Sequence, residues 1–100
     1  MIFQVEVTRF VYKQLDRAPQ HVRAKLLAWV DAVEARGLEE VRKVPGFNDH
    51  PLKGSLVGKR AVRLRRLSQK WRTVYEIKVG TAGDSYIEFV QVQEVHAHDY

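Results

Sequence analysis

Residues 60–79, RAVRLRRLSQKWRTVYEIKV, decide the fold class. The first part alternates, with Val62 and Leu64 on one side and Arg63 and Arg65 on the other, which is the two-residue period of a strand. The alternation breaks at Arg66 and Leu67, so either a bulge falls there or the strand ends. Residues 68–70 then form the turn, and residues 71–79 form a second strand rich in β-branched and aromatic side chains.

Working outward, residues 2–7 (IFQVEV) alternate as a first strand. Thr8 is an N-cap for a short helix over residues 9–17, in which Phe10, Val11 and Leu15 make a buried stripe. Pro19 fits the first turn of a second helix over residues 20–36. Val22, Leu26, Val30 and Val33 stack along one face of that helix, with Leu27 and Trp29 beside them, and Gly37 stops it. So short a connection predicts an antiparallel helical hairpin. Residues 38–43 suit one further helical turn. Residues 45–58 hold three glycines, two prolines, Asn48 and Asp49, and read as loop. A glycine-containing turn over residues 81–84 leads into a final strand over residues 86–95. The order β-α-α-β-β-β describes a small α+β domain, with the helical hairpin on one face of a mainly antiparallel sheet. The other face is left for the arginines.

The 100 residues suit one domain spanning 1–100, and 45% hydrophobic with 29% charged residues is the composition of a soluble globule. No apolar run is long enough to span a membrane and no export leader stands at the start, so the expected compartment is the cytoplasm, without membrane association. The absence of cysteine excludes disulfides, thiolate zinc sites and a cysteine nucleophile. Net charge is +5, but residues 51–80 carry nine basic residues and one acidic, while the remainder carry eight and eleven. Charge segregated in this way favours one basic face.

From Lys53 to Arg72 the chain has eight of its seventeen lysines and arginines and no acidic residue. A guanidinium fork matches the paired oxygens of a phosphodiester, and cross-strand neighbours lie about 5 Å apart, so Arg72 can meet Arg63, Arg65 or Arg66 on one phosphate. Solvated surface charge is the plainer alternative, and the complete lack of acidic partners speaks against it. At the C-terminus, strand spacing puts His96 and His98 on one face, with Tyr100 following. An unstructured tail or a two-histidine metal site are the competing readings there; no metal and no cofactor is expected.

Together the two regions describe metal-free RNA cleavage. A ribose 2′-OH attacks the adjacent phosphate, which needs a proton acceptor, clustered cations for the phosphorane and a proton donor for the leaving 5′-oxygen. The arginines meet the second need, and Lys53, His98 and Tyr100 are candidates for the proton transfers. Trp71 and Tyr75 could stack on bases, although aromatic residues on a strand more often belong to the core.

The segments Pro45-Gly46-Phe47, His50-Pro51-Leu52-Lys53-Gly54, Arg66-Leu67-Ser68-Gln69-Lys70-Trp71-Arg72-Thr73-Val74-Tyr75 and the closing Glu94-Val95-His96-Ala97-His98-Asp99-Tyr100 together resemble the RelE/ParE superfamily of bacterial toxins, closest to its HigB-like and RelE-like branch. The resemblance covers nearly the whole chain and its order of elements. It implies a ribosome-dependent mRNA endonuclease of a type II toxin-antitoxin pair, acting in the ribosomal A site and held inactive by a cognate antitoxin. By position, Lys53, Arg66, Arg72, His98 and Tyr100 match the family's catalytic residues, and Arg63 matches a further arginine. Lys59, Arg60, Arg63, Arg65, Lys70 and Trp71 make up the expected RNA-binding set. The proton acceptor is Lys53, His98 or neither, and the extra His96 has no role in the family pattern. Two other readings compete: a ParE-like toxin that binds DNA gyrase without cutting RNA, and a non-catalytic RNA- or ribosome-binding module.

Overall fold

The computed structural model describes residues 1–64 and 71–97. The bulge expected at Arg66 and Leu67 and the turn at residues 68–70 lie outside them. The elements are β1 (Val5–Val7), α1 (Arg9–Leu15), α2 (Gln20–Arg36), α3 (Leu38–Val41), β2 (His50–Pro51), β3 (Arg60–Arg63), β4 (Trp71–Ala82) and β5 (Ser85–Ala97). Single 3-10 turns at Pro45–Phe47 and Gly54–Leu56 flank β2. One sheet runs β1-β5-β4-β3-β2, with β1 parallel to β5 and every other pair antiparallel. The fold is therefore α+β, with three helices on a five-stranded mixed sheet. It has one more strand than the sequence suggests, because β2 is two residues long and contains a proline, which suits only a sheet edge.

Thr8 caps α1 as its spacing predicts, its Oγ1 accepting from the Val11 N–H at 3.3 Å. Val11 and Leu15, four residues apart, are buried, but Phe10 is 56% exposed, since it lies about 100° around the helix from Val11. Pro19 is the N-cap of α2 rather than part of its first turn, and its carbonyl accepts from Val22 and Arg23. The buried stripe of α2 is Val22, Leu26, Trp29 and Val33, with Val30 half-buried and Leu27 exposed. Steps of four, three and four residues track one helical face, so the indole takes the central place expected for Val30. Gly37 ends α2 at φ 90, with its N–H on the Val33 carbonyl at 2.8 Å. The positive φ favours glycine, and a β-carbon there would also sit a tight 3.3 Å from the Phe3 ring.

The helices bury their apolar stripes against Val62, Leu64, Tyr75, Val90, Val92 and Val95 of the sheet. At the centre, the Trp29 and Tyr75 rings lie 5.1 Å apart at 40°. The Tyr75 hydroxyl donates to Asp49 Oδ2 at 2.5 Å, and Arg60 Nε donates to Asp49 Oδ1 at 2.6 Å. The Asp49 side chain is fully buried, so this pair of donors is what makes its charge tolerable. The sequence reading assigns Asp49 only to a loop; the structure makes it the link between that loop, the sheet and α2.

A register shift in the β4–β5 ladder sets Val74 opposite Glu94 and Tyr75 opposite Val92, leaving Gln93 as the extra residue of a bulge. Neighbouring backbone groups are taken by side chains: Val95 N–H donates to Gln14 Oε1 of α1 at 2.7 Å, and Thr73 Oγ1 donates to the Glu94 carbonyl at 2.8 Å. The bulge inverts the facing of everything after it. Val90 and Val92 point into the core, and beyond Gln93 it is Val95 that does so.

Asp49→Ala leaves the Arg60 guanidinium and the Tyr75 hydroxyl without their shared acceptor. With Arg60 22% exposed, the expected loss is about 2 to 3 kcal/mol in urea unfolding, below the figure for a fully enclosed pair; a loss under ~0.5 kcal/mol would show that the network holds nothing together. Burial, and then the adjacent Asp49 carboxylate, hold the Tyr75 phenol well above its ordinary value. The folded protein keeps this proton where the unfolded chain releases it, so stability is full below about pH 10 and falls as pH rises past it. Tyr75→Phe should therefore lose less stability than the parent between about pH 10 and 11, by up to ~1.4 kcal/mol. Equal slopes for the two proteins would count against the buried phenol.

Candidate functional site

Strand pairing settles which basic residues share a face. On β3, Val62 and Leu64 face the helices, so Ala61 and Arg63 face away. Arg63 pairs directly with Arg72 of β4, and Arg72 pairs with His96 of β5. The result is a row of Arg63, Arg72 and His96 running across three strands on the sheet face turned from the helices, each of the three half-buried. Ala61 and Val74, small or short and fully buried, form the floor beside it. Antiparallel partners have Cα atoms about 4.5–5.5 Å apart, so the two guanidinium groups can reach one phosphate.

Within the row Arg72 Nε donates to His96 Nε2 at 3.1 Å. Among the described residues, neither Arg63 nor Arg72 has a carboxylate at ion-pair distance. Like charges placed directly opposite in a sheet cost roughly 0.2–1 kcal/mol, so the pair opposes folding slightly and suits an anionic ligand.

Other members of the expected RNA-binding set have different surroundings. Arg60 shares the helix-side face with Tyr75 and is bound to Asp49. Burial opposes its charge, but the hydrogen bond and charge of Asp49 outweigh that and hold the guanidinium above its ordinary value. It is a structural cation. Trp71 has the same facing as Thr73 and packs against the core, and Tyr75 is fully buried; neither presents a ring on the arginine face. Lys59 precedes β3, close enough to Glu76 to stabilise its carboxylate. Glu76 is itself held below the usual carboxylate range, chiefly by hydrogen bonds from Lys78 and Gln93.

Lys53 lies further off. His50 pairs with Ala61, Pro51 with Arg60, and Leu52 N–H bonds the Lys59 carbonyl at 2.9 Å. Continued along that register, Lys53 falls beyond the start of β3, roughly 15 Å along the strand direction from Arg63. Arg65, Arg66, Lys70, His98 and Tyr100 lie outside the described residues. His50, opposite Ala61, is a further histidine on the arginine face, with Nδ1 2.8 Å from the Asn48 carbonyl.

The part of the site that strand alternation alone would misplace is His96. Counted in twos from Val90 and Val92, His96 would face the core, and only the bulge at Gln93 turns it to Arg72. The spacing Val90, Val92, Val95 carries that signal, because the apolar positions shift from even to odd numbers. No group of three or more histidine, aspartate or glutamate side chains is placed to hold a metal among the described residues, and no helix there is long and apolar enough to cross a membrane.

No protein-family model matches the sequence, and no curated protein matches it. Solved structures do. A YoeB/ParE toxin from Agrobacterium tumefaciens superposes with a TM-score of 0.62 at 15% identity, covering 96% of this chain and 99% of that one. YafQ from E. coli strain BL21(DE3) gives 0.65 at 17% identity, covering 94% and 91%. A chain of the toxin-antitoxin complex RelBE2 from Mycobacterium tuberculosis gives 0.54 at 19% identity, covering 98% and 100%. Near-complete coverage in both directions makes this a likeness of whole folds: the chain has the fold of the RelE/ParE-type toxins.

Proposed function

We propose that this protein is the toxin of a type II toxin-antitoxin pair and cuts messenger RNA on the ribosome. The observation that carries the reading is the Arg63–Arg72 pair, two arginines set directly opposite each other on neighbouring strands with no acidic partner at ion-pair distance among the described residues. It is supported by the fold likeness to a YoeB/ParE toxin and to a member of a toxin-antitoxin complex. The partners are then a cognate antitoxin, the ribosomal A site and the message, and the place of action is the cytoplasm.

The chemistry follows from the row. A ribose 2′-oxygen attacks the adjacent phosphorus while a base takes its proton. Charge accumulates on the non-bridging oxygens of the phosphorane, where Arg72 and Arg63, with Arg66, stabilise it. The bond to the 5′-oxygen breaks, leaving a 2′,3′-cyclic phosphate, and an acid protonates the departing 5′-oxygen. The proton transfers are assigned to His98 and Tyr100, which come after the end of β5 at Ala97, with Lys53 the other candidate for the proton acceptor. A substrate without the 2′-OH would bind and not be cut.

Replacing Arg72 or Arg63 by alanine should weaken binding of a short single-stranded RNA and lower the slope of log affinity against log salt by roughly 0.7 for each phosphate contact removed. An unchanged slope would take the row out of phosphate binding. Primer extension on a translated message after brief expression should show codon-spaced cuts that disappear with His98→Ala and with Arg72→Ala. Growth arrest without cuts, unaffected by His98→Ala, would move the protein to the gyrase-binding reading.

A further inference from the structure

The contact between Arg72 and His96 fixes a chemical state. An arginine Nε always carries its proton, so the His96 Nε2 that receives it at 3.1 Å must present a lone pair. In this contact His96 therefore serves as the acceptor, through Nε2. The same contact occupies one of the five donors of Arg72 and sets the plane of its guanidinium. The side edge, formed by Nε and one terminal nitrogen, is no longer available for a fork on an anion. The end formed by the two terminal nitrogens remains.

We propose, building on the phosphate-binding role just assigned to Arg72, that His96 is its positioning residue: it holds the guanidinium so that the two terminal nitrogens meet the RNA phosphate end-on. His96 itself need not touch the substrate. Protonation removes the acceptor, because an imidazolium has only donors, and it sets a cation against Arg72. The row therefore loses its fixed geometry on acidification while gaining charge. The charged and titratable groups sharing this face, among the described residues, are Arg72 and Arg63 on the next two strands, Glu76 and Lys78 further along β4, Glu94 two residues earlier on β5, Glu6 on β1, and His50 on β2, three strands from β5.

The bulge at Gln93 supports a dedicated arrangement. A regular β5 would turn His96 into the core and leave Arg72 facing Val95, and the bulge is held by Gln14 and Thr73 from two different elements. Arg72 is thus given an acceptor by a local departure from strand geometry.

The experiment has two readouts, neither of which needs cleavage. The Arg72 Nε–H resonance in nitrogen-edited proton spectra, assigned through its loss in Arg72→Lys, should be protected from solvent exchange in the parent near neutral pH. It should lose protection once acidification protonates His96, and in His96→Ala it should lack protection at every pH. In parallel, binding of a 2′-O-methyl RNA oligonucleotide, which cannot be cut, should weaken about tenfold in His96→Ala. His96→Gln, whose side-chain oxygen accepts a hydrogen bond and does not titrate, should recover most of that loss and flatten the acid side of the binding curve. An Arg72 Nε–H indifferent to pH and to His96→Ala, or RNA binding unchanged in His96→Ala, would overturn the proposal. Loss of binding in both variants alike would do the same, because an acceptor would then not be what matters. If the parent binds RNA through the Arg72–His96 pair yet cuts no message, the nuclease reading fails and the positioning role stands.

Discussion

The buried carboxylate of Asp49 holds the architecture to one arrangement. It comes from the segment between α3 and β2, where the backbone has few ladder bonds of its own, and it accepts from Arg60 on β3 and Tyr75 on β4. Tyr75 in turn packs on Trp29, the largest side chain in the buried stripe of α2. One acidic group therefore joins the loop, two strands and the main helix. A charge so enclosed costs free energy unless fully partnered, so its value lies in specificity: shifting any one of these elements would strand a carboxylate, a guanidinium or a phenol away from water.

The β4–β5 ladder carries the second constraint. A two-residue period cannot place Val90, Val92 and Val95 on one face, and the extra residue Gln93 resolves the conflict. Apolar burial drives the bulge, since Val92 and Val95 both reach the core. The histidine on the far face is its consequence. Core packing on one side of the sheet thus sets the chemistry on the other, and rigid strands hold groups that a loop would leave spread over many positions.

What could be seen in the sequence divides along the range of the interactions involved. The span of α2 from Gln20 to Arg36, its end at Gly37 and the Thr8 cap depend on neighbours within four residues and were legible. So was the strand alternation over residues 60–64, which put Arg63 opposite the apolar face. Phe10 and Leu27 were misplaced because a 3.6-residue period leaves borderline positions that only the partner surface decides. Strand β2 was invisible, since two residues with a proline carry no periodicity. Asp49 was read as a turn former because its partners lie 11 and 26 residues away. Trp71 was assigned to RNA and packs on the core instead: an aromatic side chain beside arginines looks the same in sequence whichever face it takes.

The contrast between Arg60 and Arg63 shows how far composition can carry a functional argument. They stand three residues apart on one strand with the same charge and the same side chain. Odd spacing sends them to opposite faces, where Arg60 meets a buried acid and Arg63 meets another arginine. A count of basic residues treats them alike, though one is neutralised within the fold and the other has no carboxylate at ion-pair distance among the described residues. The net charge of residues 51–80 overstates the field on the arginine face by the Arg60 charge, which Asp49, outside that range, neutralises. Among the described residues, the Arg63–Arg72 pair is the part of that face where two cations stand opposite each other without a carboxylate at ion-pair distance. On the proposed RNA-cleaving reading, an arginine pair one strand-spacing apart suits a single phosphodiester, whereas a protein that only coats RNA needs charge spread along several phosphates.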